Sequence, residues 1–279
     1  MNKRMMRFPG GKAKAVTLSY DDCIEEDQAL IQRMEKYKMK GTFNLIPGWF
    51  AKEGTTYPAG ETYRLVTTSQ AKGMYDHPLV EVANHGNEHK YMTSLTTAEM
   101  AEDTILCRKA LEELFERNVR GMAYPYGWYN EELADVLRMC GITYCRTVES
   151  TRTFDLPENW LMWNPTCHHD DEMLMDLADE FIRMDSVEHP RLFYVWGHTF
   201  EFERNHNWDR MDAFMEKISG REDIWYATNG EIFDYVKAYE SLEFSADGKR
   251  IYNPTKIPVW MEIDGTCYEV TNYKQSREF

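Results

Sequence analysis

Basic residues are scarce in this chain. Of 279 residues, 32 are Lys or Arg and 47 are Asp or Glu, a formal net charge of -15. Nucleic acids and anionic membranes need clustered cations to neutralise their phosphates, so neither is expected as a partner. No window approaches 18 consecutive apolar residues. The opening "MNKRMMRFPGGKAKAV" has basic residues with no apolar stretch behind them, so neither a spanning helix nor a secretory signal is read here. The expectation is a soluble, cytoplasmic chain. Six cysteines are scattered without a C-x-x-C pair, which argues against an all-cysteine zinc site and suits reduced thiols. No repeat, low-complexity segment or linker rich in Pro, Gly or Ser divides the chain.

What is present is alternation. Short β-branched or aromatic runs at 13–19, 41–46, 79–84, 120–124, 142–147, 160–164, 192–196 and 224–228 read as strands. Between them, segments of 3.6-residue periodicity at 25–37, 68–75, 97–117, 131–139, 172–184, 209–218 and 229–239 read as helices. Such βα alternation predicts an α/β fold, an irregular seven- or eight-stranded (β/α) barrel with appended C-terminal β-strands. The irregularity is expected from the long loop at 48–65. Turn signals at Asp247-Gly248 and Asp264-Gly265 mark the appended strands. The expected division is a barrel over 1–241 and a β extension over 242–279 packed on it.

In such a barrel the chemistry gathers at the C-terminal ends of the strands. Those ends carry Asp21 and Asp22, then His85 and His89 in "NHGNEHKY", then "AYPYGWYN", Arg146, His168 with His169, and His198. Two histidines and one carboxylate make a ligand set with open positions for a divalent first-row metal. Each piece has a plainer explanation. H-x-x-x-H alone is often a pair of exposed or hydrogen-bonded histidines, and an Asp before a helix is often its cap. The high aromatic content, 14%, suits a sugar-binding cleft and a large core equally.

Together these pieces resemble the polysaccharide deacetylase family, also called carbohydrate esterase family 4 or the NodB-homology family. Ser19-Tyr20-Asp21-Asp22-Cys23 is similar to its first motif, His85 to His89 to its second, Ala123-Tyr124-Pro125-Tyr126-Gly127 to its third and Phe193 to His198 to its last. The resemblance implies a metal-dependent hydrolase that removes an acetyl group from an N-acetylated or O-acetylated sugar. The alternatives are a metal-independent hydrolase of cyclic amides or ureides, or a catalytically silent carbohydrate-binding relative. It further implies Asp22, His85 and His89 as metal ligands, with zinc expected and nickel, cobalt or manganese as alternatives. Asp21 would be the general base and His198 the general acid. The backbone N-H at Tyr126 would serve the oxyanion, and the Tyr126 and Trp128 rings the substrate. The expected substrate is an acetylated sugar or small amide, and the appended strands leave a homo-oligomer open.

Three positions depart from the family's pattern: Cys23 replaces a glycine, Gly86 a Ser or Thr, and Ala123 an arginine that orients the base. Arg146, at the end of the fifth strand, is expected to reach Asp21 in its place. Of His168 and His169, at most one is expected in the site, because neighbours in a strand face opposite ways.

Overall fold

The computed structural model describes residues 4–184 and 188–271. Its strands are β1 (Arg4–Arg7), β2 (Lys14–Asp21), β3 (Gly41–Leu45), β4 (Val80–Asn84), β5 (Gly121–Ala123), β6 (Tyr144–Arg146), β7 (Cys167–His168), β8 (Arg191–Gly197), β9 (Ile224–Tyr226), β10 (Glu243–Phe244), β11 (Ile251–Tyr252), β12 (Val259–Ile263) and β13 (Thr266–Val270). The helices are α1 (Asp27–Tyr37), α2 (Thr68–Tyr75), α3 (Thr97–Phe115), α4 (Glu131–Met139), α5 (Leu174–Arg183), α6 (Thr199–Asn205), α7 (Trp208–Ile218) and α8 (Asn229–Glu240).

A parallel sheet in the order β6-β5-β4-β3-β2-β8-β7 curls into the barrel, and β9 pairs with the start of β2. The seam is thin. Trp163 makes a single bridge to Arg146 at the β6 edge, while Cys167 and His168 pair with β8. The expected strand at 160–164 is therefore displaced: Asn159 caps a helical turn at Trp160–Met162, and pairing with β8 begins only beyond Pro165, which has no N-H to donate.

Strand β2 sits centrally and every residue of it is buried, which explains its apolar run. Its side chains alternate. Val16, Leu18 and Tyr20 join the core shared with the helices, whereas Thr17, Ser19 and Asp21 enter polar contacts inside the barrel.

The far end of the barrel is closed by the N-terminus of α8. Thr17 Oγ1 donates to Asn229 Oδ1 (2.8 Å), Asn229 Nδ2 donates to Tyr194 Oη (2.6 Å), and the Gly230 N-H donates to the buried carboxylate of Glu81 (2.7 Å). Thr42 and Tyr144 bond the same carboxylate. An anionic acceptor at a helix N-terminus satisfies amides that have no partner within the helix.

The C-terminal strands form two hairpins at the predicted turns, β10 with β11 and β12 with β13. One strand was not anticipated: β1 pairs antiparallel with β12, joining segments some 255 residues apart. Among the described residues no helix is long and apolar enough to cross a membrane.

Candidate active site

Asp21 is the last residue of β2 and points into the barrel with Thr17 and Ser19. Continued strand geometry would turn Asp22 to the opposite face. Instead the backbone turns left-handed at Asp22 (φ 83°) and Cys23 (φ 51°), and both carboxylates reach the same cleft. Cys23 thus adopts the conformation that favours glycine; it is fully buried, with its thiol on the Ile46 carbonyl.

His85 follows β4, and His89 comes four residues later in a turn at φ 51°. His85 Nε2 lies 3.7 Å and His89 Nε2 3.9 Å from Asp22 Oδ1, and the two nitrogens are 3.2 Å apart. Ligands held tetrahedrally at about 2.0–2.1 Å from zinc stand about 3.3 Å from one another, so the spacing fits a divalent cation. The donors are also oriented for one. His85 Nδ1 bonds the Ala123 carbonyl at 2.8 Å, which assigns its proton there and leaves Nε2 as the lone-pair atom. Asp22 Oδ1 is buried without a hydrogen-bond partner.

Electrostatics separate the two acids. Burial would raise the Asp21 carboxyl, but Arg146, His85 and His198 hold it down at about 2. Asn44 Nδ2 donates to its Oδ1 at 2.8 Å, and Arg146 Nη2 donates to its Oδ2. Asp22 is raised, chiefly by burial, while the Tyr63 hydroxyl, from the 48–65 loop, faces its carboxylate and acts in the opposite direction. His89 is pushed down to about 3 by burial and then by His85. A neutral imidazole is the form that offers a lone pair to a metal.

His198 caps α6 and places Nε2 3.9 Å from Asp21 Oδ2. Its Nδ1 lies 3.3 Å from Glu201 Oε1. Burial would lower this imidazole, but Glu201, Asp22 and Asp21 outweigh it and raise it to about 9. The other Glu201 oxygen faces His168 Nε2 at 3.1 Å and His169 Nε2 at 3.2 Å. Burial acts against the Glu201 charge, yet the three imidazoles hold this carboxyl far below its ordinary value.

Both of the adjacent histidines therefore meet one carboxylate, contrary to the rule of opposite faces. The reason is that β7 ends at His168, so His169 lies outside strand geometry. Glu201 belongs to none of the motifs read from the sequence. Its partners depend on α6, a seven-residue helix that gave no periodic signal.

Tyr126 adopts φ 58° in the turn after β5, and its ring packs against His89 at 4.3 Å. Trp49 packs against another side of His89 at 5.0 Å. Trp196 is buried beneath the Arg146 guanidinium, 4.3 Å from its ring centroid, and so belongs to the scaffold rather than to the cleft wall. Trp128 is exposed.

Residues 9–145 match the family profile described as polysaccharide deacetylase. Poly-beta-1,6-N-acetyl-D-glucosamine N-deacetylase of Staphylococcus aureus (strain MSSA476) is 24% identical over 160 residues, which cover 53% of this chain and 51% of that protein. The chain thus spans about half the length of the curated relatives it matches. Among solved structures, a candidate polysaccharide deacetylase of Mycobacterium smegmatis superposes with a TM-score of 0.58 at 16% identity, covering 85% of this chain and 94% of that one. The Xyl-CE4 domain of a multidomain xylanase from the hindgut metagenome of Trinervitermes trinervoides gives 0.53 at 14% identity, covering 85% and 99%. At these identities the structures share the fold.

Proposed function

We propose that this chain, a relative of the polysaccharide deacetylase family through residues 9–145, is a metal-dependent hydrolase that removes the acetyl group from an N-acetylated sugar. The observation that carries this reading is the convergence of Asp22, His85 and His89 within bonding reach of one cation, beside Asp21 and with His198 Nε2 3.9 Å from the Asp21 carboxylate.

Asp22, His85 and His89 would hold the cation, with zinc first and nickel, cobalt or manganese as alternatives. When bound, it supplies Lewis-acid activation of water and of the acyl carbonyl. Asp21 accepts one proton from the attacking water, and the water oxygen bonds the acetyl carbon. Arg146 and Asn44 hold the two Asp21 oxygens, so the base presents a fixed lone pair. By the family resemblance, the backbone N-H of Tyr126 meets the charge developing on the carbonyl oxygen. The carbon-nitrogen bond then breaks, the amine takes a proton from His198 Nε2, and the acyl group leaves as acetic acid, which ionises to acetate in water. Glu201, facing Nδ1, holds that ring in orientation and favours its charged form.

The relatives' name supports N-acetylglucosamine as the sugar. Ala123 favours the catalytically silent alternative; the Arg146 contact with Asp21 offers a guanidinium in place of the missing one and counts against it. The reading is tested by elemental mass spectrometry of the purified protein and of Asp22→Ala. One equivalent of metal, lost in the variant and required for acetate release from N-acetylglucosamine oligomers, is the expected result. No metal uptake even after incubation with zinc would overturn it.

A further inference from the structure

Exposed aromatic rings border the triad at His89. Tyr91 is 53% exposed, Tyr126 45% and Trp128 63%. Tyr91 and Tyr126 stack in parallel, with centroids 3.9 Å apart and planes within 8°, and Tyr126 in turn abuts the His89 ring. This shelf is built to hold its shape. Ser94 donates to the Tyr91 carbonyl through both its N-H (3.0 Å) and its hydroxyl (2.7 Å). Tyr126 is fixed in a left-handed turn whose next residue, Gly127, has no room for a Cβ because Val148 would lie 2.3 Å from it. Keeping such rings in water forgoes burial, and strained backbone concentrates where ligands bind.

Half-buried rings stand near Asp22 and His198 as well. Tyr63 reaches Asp22 and packs edge-on against Phe200 at 5.1 Å, and Phe200 lies against His198 at 5.3 Å. A substrate seated at the triad can therefore extend over Tyr91 by way of Tyr126. The charges flanking the shelf in the chain, Glu88 and Lys90, pair with each other at 2.6 Å, which leaves flat apolar faces with polar edges. The C-H face of a neutral pyranose matches that chemistry.

We propose that Tyr91, stacked on Tyr126, forms a sugar-ring subsite beside the reacting residue. This rests on the deacetylase reading and adds one specificity-determining residue to it.

The test compares zinc-loaded protein with Tyr91→Ala and Tyr91→Trp, using acetate release from N-acetylglucosamine and from its β-1,6-linked tetramer. The wild type should favour the tetramer in kcat/KM by about tenfold or more, the cost of about one stacked ring. Tyr91→Ala should bring that ratio close to one, mainly through KM, and Tyr91→Trp should restore it. A ratio unchanged in Tyr91→Ala overturns the subsite. If the wild type releases acetate from neither sugar, the deacetylase reading fails separately, and calorimetric binding of the tetramer decides the subsite. Binding at least tenfold weaker in Tyr91→Ala upholds it; binding that is equal or undetectable overturns it.

Discussion

Ala123 and Arg146 are register partners on neighbouring strands. The arginine that the family's pattern places on β5 stands one strand over on β6, and the small alanine beside it leaves the barrel interior free for the guanidinium. Trp196 stacks beneath it and Asp21 accepts from it, so charge and plane are both used. Arg146→Ala should cut turnover on the order of a hundredfold while bound metal stays at one equivalent, and Arg146→Lys should recover only part of the loss; steady-state kinetics beside elemental analysis checks both. This arginine was legible because it falls at a strand end, where inward direction follows from strand periodicity. Glu201, Tyr63 and Tyr91 were not. Their roles come from a short helix and two loops whose partners are set by tertiary packing, and no spacing rule reaches across that distance.

Elements with a local signal were read closely. The helices at 68–75 and 131–139 match α2 and α4 at both ends, because Thr67 and Asn130 cap them as a helix start requires. Strand β1 escaped because its pairing lies at the other end of the chain. The N-terminus of α8 offers a test at this scale. A Cβ at Gly230 would stand 2.4 Å from Glu81 Oε1, whereas one at Gly73, in α2, meets nothing within 4 Å. Gly230→Ala should therefore cost about 1–3 kcal/mol through overpacking, and Gly73→Ala should add about 0.5–1 kcal/mol from helix propensity. Opposite shifts in urea midpoint are the expected outcome, and shifts of the same sign would refute the close packing at the plug.

For the molecule as a whole, Asp27 joins distant parts of the site's surroundings. It accepts from the Ile24 N-H, from Tyr75 in α2 and from Thr199 in α6. Burial raises its carboxyl more than those bonds lower it, to about 7. The unfolded chain ionises this group near pH 3.9. Below that pH both states are protonated and the contribution is complete. Between about 4 and 7 the folded state binds the extra proton, so this contribution is lost as pH rises. Melting temperatures from pH 4.5 to 7.5 should fall for the wild type relative to Asp27→Asn by on the order of a few degrees; parallel curves would contradict the assignment.

The barrel seam bears on motion. At the β6 edge one bridge joins Arg146 to Trp163 through the Thr147 and Trp163 N-H groups, much as one register pair joins β4 to β5, whereas β2 is tied to β8 along seven. Amides held by few ladder bonds open without global unfolding. Deuterium should therefore enter first at Thr147 and Trp163, whose N-H groups cross that seam, and last along β2 and β8. Arg146, which bonds Asp21, thus sits on a lightly tethered edge of the barrel, and solvent exchange there as slow as along β2 would show the seam to be tighter than its one bridge.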